Sequence, residues 1–211
     1  MTQFQMLETL AKVGAIITNS HIVYTSGRHG DSYVNKDAIY PHTDVVSTLC
    51  ERIAREFLSA NVEAVAAPAV GGVILSQWTA HHLSRLSGKP VVGVYAEKEA
   101  DSDKFVLKRG YDKLITNRRV LILEDVLTTG GSVKKVVEIC EKLPAQVVGI
   151  GALCNRGNLS AEMLGVKNFF ALVKVDLGSW EENDCPLCKN HVPINVDVGK
   201  GREFIARRQN S

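Results

Sequence analysis

Apolar residues in this chain fall into two kinds of run. Short, nearly continuous stretches, most of them rich in Val and Ile, occupy 62–67, 91–95, 120–123, 147–153 and 169–175. They lack polar alternation, as expected of parallel strands covered on both faces. Between them, apolar positions recur at helical spacing. Val46, Leu49, Cys50, Ile53 and Phe57 mark one face of a helix that Thr43 is placed to cap and that reaches about Leu58. A second helix is predicted from about Val73 to Arg85, stopped by Gly88 with Pro90 beyond, and a third from about Ser132 to Leu143. This alternation predicts an α/β fold with a mostly parallel central sheet flanked by helices.

Three segments stand outside the alternation. The stretch 24–40 is polar and rich in Gly, Ser and Asp, and reads as a hairpin-like hood within 20–42. Charges dominate 97–113 between two strands, and loops that long inside compact domains often serve as lids, here placed at 96–113. From 178 to 211 the chain reads as an irregular tail packed on the domain. A length of 211 residues fits one domain over 1–211 with these appendages.

Composition narrows the classes. Hydrophobic residues make up 45%, charged residues 23%, and mean hydropathy is -0.00, which excludes a disordered or fibrous chain. The net charge of +2 gives no field for nucleic acid, so an anionic ligand must be held by local groups. The opening residues show no basic run followed by an apolar core, so no secretory signal is expected. The most apolar stretch, 64–75, is broken by Pro68, Gly71 and Gly72 and falls short of the roughly 18–20 residues of a membrane span. Five cysteines, an odd number, argue for reduced thiols and a cytoplasmic location.

The segment 120–132 is the richest in chemistry. An apolar strand leads to Glu124 and Asp125, and then Thr128, Thr129, Gly130, Gly131 and Ser132 open directly into a helix. Ligands of open α/β sheets bind beyond the carboxyl ends of strands. Small residues let backbone N–H groups converge there, and the helix adds its positive end. Such a nest suits a phosphate monoester, while paired carboxylates suit vicinal sugar hydroxyls and help hold a divalent cation. A ribose phosphate satisfies both halves. No Lys directly follows the glycines, so this is not a nucleotide-kinase loop, and Cys154 spoils a dinucleotide fingerprint at Gly149 and Gly151.

The full string resembles the phosphoribosyl pyrophosphate (PRPP) signature of the type I phosphoribosyltransferases. Over nearly the whole chain the likeness narrows to the orotate phosphoribosyltransferases. Thr25-Ser-Gly-Arg28-His29 followed by Tyr33 is similar to that family's hood over the base. Val70, Gly71 and Gly72, after a strand and before a helix, resemble its pyrophosphate loop. Tyr95-Ala-Glu97-Lys98-Glu99 looks like the start of its catalytic lid, and Arg156 stands where an arginine meets the orotate carboxylate.

The resemblance implies transfer of 5-phosphoribose from PRPP to orotate, yielding orotidine 5'-monophosphate and pyrophosphate in pyrimidine biosynthesis. It implies magnesium carried mainly by PRPP, and a homodimer, with no nucleic acid or membrane partner. It assigns Lys98, Glu124 and Asp125 to catalysis and Thr128, Thr129, Gly130, Gly131 and Ser132 to the 5-phosphate. Val70, Gly71, Gly72, Lys98 and Arg109 go to pyrophosphate, and Arg28, Thr128 and Arg156 to orotate. The lid departs from the family pattern, with Glu97 in place of an arginine and Asp101 and Asp103 near a later Lys and His. Its remaining cations are Lys104, Lys108 and Arg109, and Thr25 replaces a lysine found in some members. A phosphoribosyltransferase for another base, or a non-catalytic PRPP-sensing regulator of the same fold, remains the alternative.

Adjacent His81 and His82 point about 100° apart on a helix and cannot share a metal. Cys185 and Cys188, with His191 three residues on, have half the spacing of a zinc site. The tail offers no second pair, and Cys154 is the one distant further ligand, so a packed turn is expected there.

Overall fold

The nearly continuous apolar runs do form strands. The computed structural model describes residues 3–100, 102–175 and 178–209. Asp101 of the expected lid and the last two tail residues lie outside them. In chain order the first elements are helix α1 (Gln3–Lys12), strands β1 (Ile16–Ile17), β2 (Ile22–Val23), β3 (His29–Gly30) and β4 (Tyr33–Val34), and helix α2 (Thr43–Glu56). There follow β5 (Ala64–Pro68), α3 (Gly71–Ser87), β6 (Val92–Lys98), β7 (Phe105–Val106), α4 (Tyr111–Ile115) and β8 (Arg119–Leu127). The chain continues through α5 (Gly131–Lys142), β9 (Gln146–Asn155), α6 (Ala161–Leu164), β10 (Phe169–Lys174), α7 (Pro186–Lys189) and α8 (Gly201–Gln209).

These elements sort into two compact units, Met1–Met6 with Tyr40–Val175, and Leu7–Ile39 with Asp176–Ser211. Where the sequence reading has one domain over 1–211, with a hood and a separate tail, hood and tail thus fall in one unit. The physical reason is backbone pairing across the sequence: the amide of His29 donates to Trp180 O at 2.8 Å, and that of Asn195 to His21 O at 2.8 Å.

The first unit is built on a six-stranded sheet in the order β10-β9-β8-β5-β6-β7. Its first five strands run parallel, and β7 is antiparallel to β6. Ala64, Ala66, Val94, Val120, Ile122 and Ile150 are fully buried on these strands, which explains their lack of alternation. The α2 face reads as expected, since Val46, Leu49, Cys50, Ile53 and Phe57 are all buried. Its cap does not: the helix starts at Thr43 itself and His42 precedes it without a side-chain cap. Helix α3 starts two residues earlier than its apolar pattern, at Gly71, and ends at Gly88, whose φ of 69° is the left-handed stop.

Strand order reverses between β5 and β8. From β5 the chain steps to β6 on one side, whereas β8, β9 and β10 step away on the other. Connections leaving two adjacent strands in opposite directions open a crevice at their carboxyl ends, where open α/β sheets bind ligands.

The second unit has short pairings only. Among its described residues, β1 pairs with β4 through Ile16↔Val34 and Ile17↔Tyr33, and β2 with β3 through Ile22↔Gly30 and Val23↔His29. The tail is less irregular than expected, carrying a 3-10 turn at Glu182–Asp184 as well as α7 and α8.

Candidate active site

Both loops at the strand-order reversal carry the signature residues. Strand β8 does not stop before its acids. It runs on to Leu127, so Glu124 and Asp125 lie in its last turns of pleat and point to opposite faces. Glu124 is half-buried and Asp125 is buried. The Asp125 carboxylate is fixed by two donors: Val126 N at 2.6 Å to Oδ1 and Tyr40 Oη at 3.0 Å to Oδ2. Glu124 Oε1 accepts from the Asp125 amide at 3.1 Å.

Beyond β8, residues 128–132 wrap a cleft of about 140 Å³, lined by Glu124, Thr128, Thr129, Gly130, Gly131 and Ser132 among others. Gly130 holds a φ of 75°, the turn that aims the first amides of the twelve-residue α5 at the cleft. A Cβ on Gly130 would also press Leu164 Cδ2 at 2.8 Å. Thr128 and Thr129 are exposed there, and the Thr129 hydroxyl accepts weakly from Gly131 N at 3.4 Å.

The loop after β5 approaches the same place. A Cβ on Gly71 would collide with the Asp125 carboxylate and the Tyr40 hydroxyl, and one on Gly72 would meet Ala67 Cβ at 2.6 Å. Both glycines are therefore required by close approach, and Gly71 brings the start of α3 against Asp125. Val70 stands 84% exposed at the loop tip, after a cis Ala69–Val70 peptide. Tyr40 escaped the sequence reading because a lone tyrosine after a polar stretch carries no periodic signal.

The expected lid is a hairpin rather than a long loop. Strand β6 extends through Lys98, and β7 pairs back on it through Glu97↔Val106 and Lys98↔Phe105. Its charges are paired with one another. Glu97 binds Arg109, and also Lys108 at 3.3 Å, while Arg109 lies 5.8 Å above the Tyr95 ring. Asp103 bridges Lys98, at 2.8 Å, and Lys135 of α5. Those two ammonium groups, Lys135 foremost, hold the Asp103 carboxyl at about 2, below its usual 3.8.

Arg156 follows β9 on a loop tied back to β8, since the amides of Arg156 and Gly157 both donate to Leu127 O, at 2.8 and 2.9 Å. Asn155, buried, braces that loop by exchanging hydrogen bonds with the Leu159 backbone at 2.9 and 3.0 Å. Burial pushes the nearby Cys154 thiol up to about 11 despite the pull of Arg156, so it is no nucleophile. Arg28 belongs to the second unit. There its Nε donates to Ser179 Oγ at 2.9 Å, its Nη2 to Ser179 O at 2.7 Å, and its Nη1 pairs with Glu181. His81 and His82 sit beside Trp78 on α3, exposed and half-buried.

Glu124, Asp125, the 128–132 loop and Gly71 are thus gathered at one crevice, with Lys98 and Arg109 on the neighbouring hairpin. The acids suit magnesium, which takes one or two carboxylates together with substrate phosphates rather than an all-protein cage. Among the described residues, no third metal-ligating side chain clusters with this pair.

Residues 35–182 match the model of the phosphoribosyl transferase domain. The chain is 35% identical over 193 residues to the orotate phosphoribosyltransferase of Pelotomaculum thermopropionicum, covering 92% of this chain and 95% of that protein. It is 30% identical over 203 residues to the enzyme of that name from Chlorobium phaeobacteroides, covering 96% and 99%. Among solved structures, the orotate phosphoribosyltransferase of Mycobacterium tuberculosis superposes with a TM-score of 0.65 at 18% identity, over 82% of this chain and 96% of that one. The same mycobacterial protein, solved with 5-phospho-alpha-D-ribosyl 1-diphosphate, gives 0.60 at 17% identity over 82% and 95%. These structures speak for the fold, and the sequence matches carry the family. With the signature loop, the paired acids and the glycine approach in place, the chain belongs to the orotate phosphoribosyltransferase family.

Proposed function

We propose that the protein is an orotate phosphoribosyltransferase, moving 5-phosphoribose from PRPP to N1 of orotate and releasing pyrophosphate, a step of pyrimidine biosynthesis. The observation that carries this reading is the approach of Gly71 to Asp125 at the strand-order reversal. It sets a pyrophosphate loop beside carboxylates suited to a ribose, with a phosphate nest one turn further on. Relatives with this enzyme name span almost the whole chain.

In this reading, the amides and hydroxyls of Thr128, Thr129, Gly130, Gly131 and Ser132 bind the 5-phosphate and supply positioning remote from the bond that breaks. Glu124 and Asp125 accept from the ribose hydroxyls and face the positive charge of an oxocarbenium-like transition state. Tyr40 is a positioning residue, orienting Asp125. The loop of Val70, Gly71 and Gly72 receives the departing pyrophosphate, with Lys98 and Arg109 neutralising its growing charge. Magnesium, when bound with PRPP, supplies further charge neutralisation on the phosphate oxygens. Arg156 pairs with the orotate carboxylate, while Thr128 borders the base. Closure of the β6–β7 hairpin excludes water that would hydrolyse the ribosyl cation.

The family resemblance adds a homodimer in which the hairpin serves a neighbouring site. A cytoplasmic setting fits five free thiols. Among the described residues, no helix is long and apolar enough to cross a membrane.

Incubating the purified protein with PRPP, magnesium and a panel of bases tests the assignment. Orotate is expected to be consumed with stoichiometric pyrophosphate, and purines to be left untouched. Turnover of a purine in preference to orotate, or of no base at all, overturns it.

A further inference from the structure

The second unit holds a cluster that phosphoribosyl transfer does not use. His21 immediately precedes β2 and His29 begins β3, so the antiparallel pairing of those strands brings the two imidazoles together. Their ring centroids are 5.0 Å apart. Cys185 and Cys188 flank the first turn of α7. One ligand atom from each of these four residues lies within 4.8 Å of all the others.

The separations match a metal tetrahedron. His21 Nε2 lies 3.7 Å from Cys185 Sγ and 3.7 Å from Cys188 Sγ, and Cys188 Sγ lies 3.4 Å from His29 Nδ1. Zinc bonds of about 2.0–2.1 Å to nitrogen and 2.3 Å to sulfur give nitrogen–sulfur edges of roughly 3.5 Å. The two nitrogens, 2.8 Å apart, need to spread to admit an ion.

Protonation and burial agree with this. His21 Nδ1 lies 2.8 Å from Val192 O. A carbonyl only accepts, so Nδ1 carries the proton and Nε2 turns its lone pair to the cluster, the usual support of a metal-bound imidazole. His21, His29 and Cys185 are at most 1% exposed. His29 turns Nδ1 to the cluster, with its Nε2 on the far side of the ring.

The unit also needs a staple. Its strands are two residues long, and its large buried apolar side chains are few: Leu10, Ile22, Val23, Tyr24, Ile39 and Phe204. The extended apolar core lies wholly in the other unit. A small body with so slight a core commonly relies on a metal or a disulfide.

We propose that His21, His29, Cys185 and Cys188 bind one structural zinc ion, which fastens the hood hairpin to the tail. Four protein ligands with none left open mark a structural rather than a catalytic ion. The pattern hid in sequence because the Cys-x-x-Cys half meets a histidine half 164 residues away. Cys154, weighed as a further ligand, instead lies buried in β9, and His191 is exposed outside the cluster.

The test uses the full chain, purified under reducing conditions without chelator, with metal measured by inductively coupled plasma mass spectrometry. One zinc per chain is expected. Stripping it with a chelator should lower Tm by at least about 10 °C, and added ZnCl2 should restore it. Cobalt(II) added to the stripped protein should give thiolate charge-transfer absorption and the intense visible bands of a tetrahedral ion. Cys188→Ser should lose the metal, while Cys140→Ser keeps it. If Cys188→Ser does not fold, the wild-type cobalt spectrum decides. Zinc-free protein with no tetrahedral cobalt bands, a Cys185–Cys188 disulfide, or an unchanged Tm on stripping would each overturn the proposal.

Discussion

Asp125 concentrates the chemistry at the residue scale. It is buried, and its two carboxylate oxygens are held by a backbone amide and by Tyr40. Asp125→Asn keeps the shape and one acceptor oxygen, and the Tyr40 hydroxyl can turn to accept from the new amide. Folding should survive, with Tm close to wild type, while turnover falls by about a hundredfold or more. A wild-type rate in a steady-state assay would remove Asp125 from the reaction. Gly71→Ala tests the neighbouring approach. Its Cβ has to displace the Asp125 carboxylate and Tyr40 hydroxyl. A loss of about 1–3 kcal/mol in denaturant unfolding is expected, together with lost turnover. Unaltered stability would show that the two loops stand further apart than described.

At the scale of elements, the β6–β7 hairpin draws in cations that its own stretch of the signature lacks. Glu97 stands where the family pattern has a basic residue, yet it gathers Lys108 and Arg109, so the cations arrive by folding rather than by local sequence. In the proposed reading, pyrophosphate competes with Glu97 for Arg109. Glu97→Gln should therefore lower the KM for PRPP, by up to about fivefold, because exposed ion pairs are worth at most about 1 kcal/mol. A raised KM would mean that Glu97 orients Arg109 instead of restraining it. Asp103 adds a pH test. Its carboxyl is held at about 2, so the pairing with Lys135 and Lys98 is fully present above the usual 3.8 and is lost as pH falls toward 2. Carbon NMR of the carboxyl should show its midpoint near 2, and a midpoint near 3.8 would show the bridge unpopulated.

The same element shows what the sequence makes legible. The parallel strands and α2 could be read because burial on both faces, or on one helical face, leaves a periodic trace, as at Val46, Leu49, Cys50 and Ile53. The signature loop could be read because a phosphate nest needs small residues in a fixed order. The hairpin at 97–106 could not, because its two short pairings hide among charges that read as a solvated loop. The meeting of His21 and His29 with Cys185 and Cys188 was equally silent, being set by contacts more than 150 residues apart. Tyr40 and Asn155 fall in the same class, since single polar residues gain meaning only from what they touch.

For the whole molecule, the central claim is that the strand-order reversal makes the binding crevice. The loops after β5 and β8 meet there, and the acids, the glycines and the start of α5 share that end of the sheet. Size alone points elsewhere. A wider groove of about 840 Å³ opens where the strands begin, lined by Lys89, Arg118 and Arg119 among others. It is basic and roomy, but it holds no carboxylate pair with a glycine-rich turn and lies at the wrong ends of the strands for a ligand of an open α/β sheet. A crystal structure of the protein with PRPP and magnesium decides between them. The 5-phosphate is expected in the cleft of Thr128, Thr129, Gly130, Gly131 and Ser132, with the ribose hydroxyls on Glu124 and Asp125. PRPP in the wider groove, with that cleft empty, would contradict the account.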